Sequence, residues 1–309
     1  MPWSQEYRWK ISLRLKLRQT NGDYFQDFFS QMMVHLHGSD FIRVRPFGQK
    51  GDKGCDGYLQ ATGAVFQCYG ALNGDKSKVD YLISKMKEDF EKAEAHLGSI
   101  MKEWHLVHNL VDGLPVEAVL KQNEIQKANP DIKIGFIGLE GFEERIAELD
   151  DSALEDLLGP VATNKDAQDL QLQDLKALIS HVVEGIDGKL YDGGQLGPVP
   201  ADKLDANKLP AHWDALIKGG WQNAHIVQAY FENHPDPMLG VQIATLFNDR
   251  YQYLRAQGLS PGSIMDGLYE YITGLGSVSP ARQVAAQALL AHLFESCDIF
   301  ENLTLEAAV

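Results

Sequence analysis

Two short runs with apolar centres constrain the first half of this chain more than any other feature. They are Glu103-Trp104-His105-Leu106-Val107-His108-Asn109 and Asp131-Ile132-Lys133-Ile134-Gly135-Phe136-Ile137-Gly138-Leu139. Each is too short for a core helix, and each reads as a buried strand near a helix. Such strands need helices above and below them. The sequence provides these in Tyr24, Phe25, Phe28, Phe29, Met32 and Met33, and again in Val79, Leu82, Ile83, Met86 and Phe90, both sets at helical spacing. Val65, Phe66 and Cys68 mark a further short strand. A parallel or mixed sheet flanked by helices is the predicted architecture. Residues 10–18 alternate Ile11, Leu13, Leu15 and Leu17 with Lys10, Ser12, Arg14, Lys16 and Arg18, a period of two that predicts a half-buried strand with a basic outer face.

Near Pro160 the pattern changes. Residues 1–160 are predicted to form the α/β domain and residues 161–309 an all-α module. Residues 163–185 read as helix, and the Gly- and Pro-rich stretch from Ile186 to Leu204 as a linker. Helices are then expected over Asn207–Lys218, Ala224–Asn233 and Met238–Arg255. Ser260-Pro261 and Ser279-Pro280 each place a capping serine before a first-turn proline. The Ala-rich final helix from Pro280 reads as the buried centre of a bundle. Trp213, Trp221, Tyr230, Phe231, Tyr251 and Tyr253 are core residues or interface anchors, two roles that spacing does not separate.

Charge divides the chain in the same way. Residues 1–60 carry nine Lys/Arg against six Asp/Glu, whereas residues 161–309 carry nine against eighteen, within a total of −15. Phosphate affinity needs local cations, so DNA contact is expected only from the first third, and the acidic helical half suits a protein partner. Three cysteines, Cys55, Cys68 and Cys297, form no C-x-x-C pair, which argues against a disulfide framework or a zinc site. Without an apolar leader or an apolar run of membrane-spanning length, a cytoplasmic protein with no membrane association is expected.

The stretch Gly51-Asp-Lys-Gly-Cys-Asp-Gly57 followed by Gln67 on an apolar strand carries the chemistry. Metal-assisted phosphodiester cleavage needs a carboxylate fixed at a strand end, a second oxygen ligand on the neighbouring strand, and a cation for the developing phosphorane charge. Asp56 and Gln67 meet the first two needs. Glycines and aspartates are also ordinary turn residues, so GDKGCDG alone would be only a solvated hairpin. His105 and His108 fall on opposite faces of their strand and are not a metal pair, and His35 and His37 do not share a helical face.

With these residues in place, residues 20–150 resemble the PD-(D/E)XK nucleases of the restriction-endonuclease-like branch, which implies an α/β restriction-endonuclease-like domain. Asp56 falls on that family's metal-binding aspartate, Gln67 on its D/E/Q position, and Gln26 where many members carry a supporting glutamate. Tyr69 stands where the motif lysine belongs, leaving Lys53 and Lys85 as candidates for its role. Phe66-Gln67-Cys68-Tyr69-Gly70, Trp104 to Asn109, and the ending Cys297-Asp298-Ile299-Phe300-Glu301 look like the nuclease component of ABC-three-component antiphage systems of the Lamassu type. That resemblance implies an Mg²⁺- or Mn²⁺-dependent endonuclease acting on double-stranded DNA. It further implies an SMC-like ATPase partner, a small accessory subunit, and activation by release and self-association into a homo-oligomer. The alternative is a catalytically degenerate adaptor that keeps the nuclease fold, a reading favoured by Tyr69. For the C-terminal ending itself, the plain structural reading is that Ile299 and Phe300 staple the last helix to its bundle.

Overall fold

A computed structural model of the protein describes residues 3–45, 53–72, 79–183, 203–274, 276, 278–296 and 299–300. Of the expected linker over Ile186–Leu204, residues 186–202 lie outside the described residues, as do Gly51 and Asp52 of the glycine turn and Cys297, Asp298 and Glu301, whereas Lys203 and Leu204 belong to a short helix, Lys203–Ala206, not to the linker. Two compact units emerge, one of Leu13–Leu158 and one that joins Met1–Ser12 to Gly159–Val309.

The first unit holds a five-stranded mixed sheet in the order β1 (Phe41–Arg43), β2 (Gly57–Leu59), β3 (Ala64–Tyr69), β4 (Glu103–His108) and β5 (Lys133–Ile137). The β1–β2 and β2–β3 pairs are antiparallel, whereas β3–β4 and β4–β5 are parallel. Before β1 lie α1 (Trp3–Gln19) and α2 (Gly22–His37). Helix α3 (Val79–Leu97) connects β3 to β4 and α4 (Val116–Ala128) connects β4 to β5, the long crossovers that parallel pairing requires. Helices α5 (Leu139–Ile146) and α6 (Asp151–Leu158) close the unit.

Strand alternation sorts the core into two layers. Phe66 of β3 meets Phe29 of α2 at 5.4 Å and Phe41 of β1 at 6.1 Å between ring centroids, and Phe142 of α5 stacks on Phe28 at 5.8 Å. On the opposite face Val65 and Tyr69 pack with Leu82, Met86 and Phe90 of α3 and with Ala118 and Ile125 of α4. Helices therefore cover both sides of the central strands, whereas β5, expected to be buried, is an edge strand that buries only Ile134 and Ile137. At the C-terminal end of β4 the wholly buried Asn109 accepts from the Ala71 backbone N–H at 2.9 Å and donates to the carbonyls of Thr20 at 2.6 Å and Ala71 at 2.8 Å. It thereby ties the end of β3 to the chain leaving α1.

Residues 10–18 are the main correction to the expected fold: they belong to helix α1, not to a strand. In a helix the alternation puts Ile11 and Leu15 on one side and Leu13 and Leu17 on the other, and all four are buried. A helix covered on opposite sides imitates the two-residue period of a strand. Composition decides the outcome, because Leu, Lys, Arg and Gln favour helix and only Ile11 is β-branched.

The second unit is helical. It contains α7 (Asn164–Gln168), α8 (Leu172–Val183), α9 (Lys203–Ala206), α10 (Ala211–Glu232), α11 (Leu239–Ala256), α12 (Pro261–Thr273) and α13 (Pro280–Glu295). Thr163 and Asp166 form a reciprocal capping box that starts α7. Ser260 and Ser279 accept from the backbone N–H groups of Ser263 and Arg282, as the two Ser-Pro pairs predict. Residues 207–233, expected as two helices, instead contain the single long helix α10, which runs through Gly219-Gly220. A Cβ at Gly220 would lie 2.5 Å from the Gln287 carbonyl oxygen and 2.9 Å from the Ala291 Cβ, so this glycine lets α10 approach α13. The burial gained there offsets the helix cost of glycine, about 1 kcal/mol.

Helix α13 is buried along most of its length. Lys203, itself buried, donates to the carbonyls of Phe294 and Ile299, both at 2.7 Å, and so caps the end of α13. Ile299 and Phe300 are buried, with Phe300 4.9 Å from Tyr251 and 5.7 Å from Phe294 between rings. Among the described residues, then, the C-terminal ending staples the bundle. The aromatic set divides: Trp213 and Tyr251 are core, whereas Trp221 and Tyr253 are exposed at 39% and 57%.

Candidate functional site

The site is assembled where β1, β2 and β3 meet the first turns of α2. The chain passes Lys53 at φ 62° and Gly54 at φ 73°, both left-handed, and then enters β2. Gly54 is required twice over: it tolerates that φ, and a Cβ there would penetrate the Asp89 carbonyl oxygen on α3. This close approach presses the turn onto α3 and fixes the direction in which Asp56 leaves it.

The backbone of Asp56 is locked on both sides, its N–H donating to the Phe66 carbonyl at 2.8 Å and its carbonyl accepting from the Val44 N–H at 3.0 Å. Its side chain is buried and both oxygens accept from protein donors. Gln26 Nε2 donates to Oδ1 at 2.8 Å, and the Cys68 backbone N–H donates to Oδ2 at 2.7 Å. Gln26 is also buried, and its Nε2 lies 3.3 Å from the Val44 carbonyl. The candidates Gln26 and Asp56, far apart in sequence, are thus in direct contact.

The pairing of Gly57 with Phe66 in the antiparallel ladder brings Asp56 beside Gln67. Gln67 is 2% exposed, and among the described residues its Oε1 has no hydrogen-bond donor. An undonated buried acceptor costs about 1–3 kcal/mol unless a cation or water satisfies it. Oxygen donors of this kind suit Mg²⁺ or Mn²⁺. Among the described residues there is no group of three His, Cys, Asp or Glu side chains suited to a metal. One carboxylate and one amide oxygen nevertheless fit Mg²⁺, which usually keeps several waters and takes further oxygens from substrate phosphate.

Two arginines flank Val44, the residue whose N–H donates to the Asp56 carbonyl. Arg43 and Arg45 on and just after β1 both pair with Asp27, the neighbour of Gln26, the latter at 2.5 Å. Burial, then the adjacent Arg45, lowers the Arg43 guanidinium from its ordinary pKa. The Cys68 thiol is pushed well up, first by burial and then by the Asp56 charge. It is therefore a buried thiol, unsuited to act as a nucleophile.

The two lysine candidates occupy different places. Lys53 sits in the left-handed turn itself. Lys85, on α3, pairs with Asp89 at 2.8 Å, and its side chain is 29% exposed. Tyr69, at the motif-lysine position, is buried and lies 6.4 Å from the ring of Tyr81. The histidines stay apart, as strand alternation predicts. His105 stacks on Phe66 at 5.5 Å and contacts Glu103 at 2.8 Å, whereas burial lowers His108, beside Phe136, to about 4. Sequence reasoning missed Asp27, Arg43, Arg45 and Asp89. The signal available for the first was its place next to Gln26; for Asp89 it was a carboxylate on the apolar stripe of α3.

Residues 173–301 match the family model for C-terminal domain 10 of the ABC-three component (ABC-3C) systems. The match lies wholly within the helical unit, and residues 1–172 fall outside it. No curated protein and no solved structure gives a significant match to the chain. Among the described residues no helix is long and apolar enough to cross a membrane.

Proposed function

We propose that the chain is the metal-dependent DNA endonuclease effector of an ABC-three-component antiphage system. Its α/β unit would cut DNA and its helical unit would engage the other components. The C-terminal domain match supports membership of such a system. The nuclease reading rests on one observation above all: a buried Asp56 carboxylate, oriented by Gln26 and the Cys68 N–H, beside a Gln67 amide oxygen that lacks a donor among the described residues. The antiparallel β1–β2–β3 meander, followed by a helix and a parallel strand, sets these two oxygens on neighbouring strands, the arrangement a restriction-endonuclease-like fold uses.

In this reading Asp56 and Gln67 hold Mg²⁺, which when bound supplies Lewis-acid polarisation of a phosphate oxygen and of water. Gln26 keeps the carboxylate in one rotamer. Arg43 and Arg45 attract the phosphate backbone, and Lys53 or Lys85 provides the charge that the motif lysine would carry. The resemblance to Lamassu-type nucleases extends the proposal to an SMC-like ATPase that holds the subunit inactive, with self-association as the activating step. Joining several copies would multiply the weak DNA contacts of an acidic chain.

The test is Asp56→Ala. It should abolish Mg²⁺-dependent degradation of duplex DNA and protection against phage while the chain still folds cooperatively. Cleavage at the wild-type rate would refute the site. The second reading, a nuclease-fold adaptor without cleavage, is favoured by Tyr69 and predicts protection that survives Asp56→Ala. In either reading residues 161–309 should capture the partner, and full capture by residues 1–160 alone would contradict this.

A further inference from the structure

Helix α3 carries Tyr81, Lys85 and Asp89 at successive four-residue intervals, so the three side chains lie in one line along the helix. The ends of this line are fixed independently. At one end the Tyr81 ring meets Tyr69, two residues beyond Gln67 on β3. At the other, the Asp89 backbone abuts Gly54, two residues before Asp56. Lys85 stands midway, between the segments that present the two oxygen ligands. Its ammonium is paired with the Asp89 carboxylate at 2.8 Å. Exposure along the line falls from 58% at Tyr81 to 3% at Asp89, so the lysine reaches outward from a buried anion. A carboxylate so deeply set in an apolar stripe is costly unless it is paired, and it receives Lys85 and, at 3.6 Å, Lys92.

Resting on the nuclease reading above, we infer that Asp89 is a positioning residue that holds Lys85 at the Asp56–Gln67 site, so that Lys85 and not Lys53 replaces the motif lysine displaced by Tyr69. The aromatic contact of Tyr69 with Tyr81 then has a part as well: it packs the α3 line against β3 where the lysine side chain would otherwise have projected. Lys85 would stabilise charge on the phosphate, and Asp89 would keep the ammonium protonated and pointed at the site.

The experiment uses the full-length chain in its active assembly and measures Mg²⁺-dependent cleavage of duplex DNA as a function of pH. Lys85→Ala should slow cleavage by about 10²–10³-fold, the usual effect of removing one donor to a developing anion. Asp89→Asn keeps the shape and removes the charge. It should slow cleavage roughly 10–100-fold, as loss of an orienting partner does, and should move the alkaline limb of the rate profile to lower pH because Lys85 loses its counter-ion. A merely structural role would lower the rate at every pH without moving the limb. The double variant should be no slower than Lys85→Ala alone, and Lys53→Ala should slow cleavage far less than Lys85→Ala does. Effects of the two substitutions that multiply, or an unmoved limb in Asp89→Asn, would overturn the inference. Cleavage that needs Asp56 but ignores Lys85 sinks this inference and spares the parent reading, whereas cleavage indifferent to Asp56 sinks both.

Discussion

The contact between Gln26 and Asp56 gives the sharpest test of how the site is built. Both side chains are buried, and the Nε2–Oδ1 distance of 2.8 Å is that of a charge-assisted bond. Gln26→Leu removes this donor and leaves an apolar side chain against the carboxylate. A hydrogen bond to a charged group contributes about 1.5–3 kcal/mol, so the metal-free protein should lose that much stability. Gln26→Glu goes further, placing a second carboxylate where the donor stood. Two buried carboxylates at that distance cannot both ionise easily, so the loss at neutral pH should be at least as large. It should shrink as the pH falls and the pair takes up a proton. A divalent cation reverses the ranking, because it stabilises a pair of carboxylates more than a carboxylate beside an apolar side chain. Urea midpoints in chelator and in saturating Mg²⁺ report both effects. The expected result is that Mg²⁺ rescues Gln26→Glu most and Gln26→Leu least. A metal-free Gln26→Glu protein as stable as wild type would refute the contact, and an absence of Mg²⁺ rescue would refute a cation at Asp56.

Two further outcomes follow from burial and packing. Adjacent glycines on α10 should respond with opposite sign: Gly219→Ala, with open space around it, should stabilise by up to about 1 kcal/mol, whereas Gly220→Ala should destabilise by about 1–3 kcal/mol against α13, as thermal melts of the two variants would show. His108 is held neutral by burial down to about pH 4, below its ordinary value of 6.5, so the unfolded chain takes up a proton that the folded chain refuses. Its contribution is therefore fully present above about pH 6.5 and declines as the pH falls towards 4, by about 3 kcal/mol in all, and His108→Gln should flatten that slope in urea titrations.

Much of this architecture can be read from the sequence because burial imposes periodicity. The run at β4 and most of the stripes of α2 and α3 are covered by their neighbours in the way their spacing demands, whereas β5, at the sheet edge, buries only Ile134 and Ile137, and Tyr24 of the α2 stripe is exposed. Helix α1 is the instructive failure. Its alternation is real, but it arises from burial on two opposite sides of a helix, which a two-residue period cannot distinguish from a strand. The unbroken α10 fails for a related reason: Gly219-Gly220 reads as a break locally, and only the closeness of α13 explains Gly220. In the candidate site, motif spacing singled out Asp56 and Gln67, and the family resemblance pointed to Gln26. The partners that give the site its electrostatics did not show. Arg43 and Arg45 meet Asp27 only through the docking of β1 against α2, and Asp89 meets the glycine turn only through the packing of α3. These are long-range contacts with no local signature.

The most direct test of the central claim is to locate a cation. Crystals of the full-length protein soaked in Mn²⁺ should show an anomalous peak about 2.1 Å from an Asp56 carboxylate oxygen and from Gln67 Oε1, a usual spacing for a small divalent ion held by oxygen. The peak should vanish in Asp56→Ala crystals of the same form. A Mn²⁺ peak elsewhere, or none at Asp56 in crystals that bind Mn²⁺, would contradict the account.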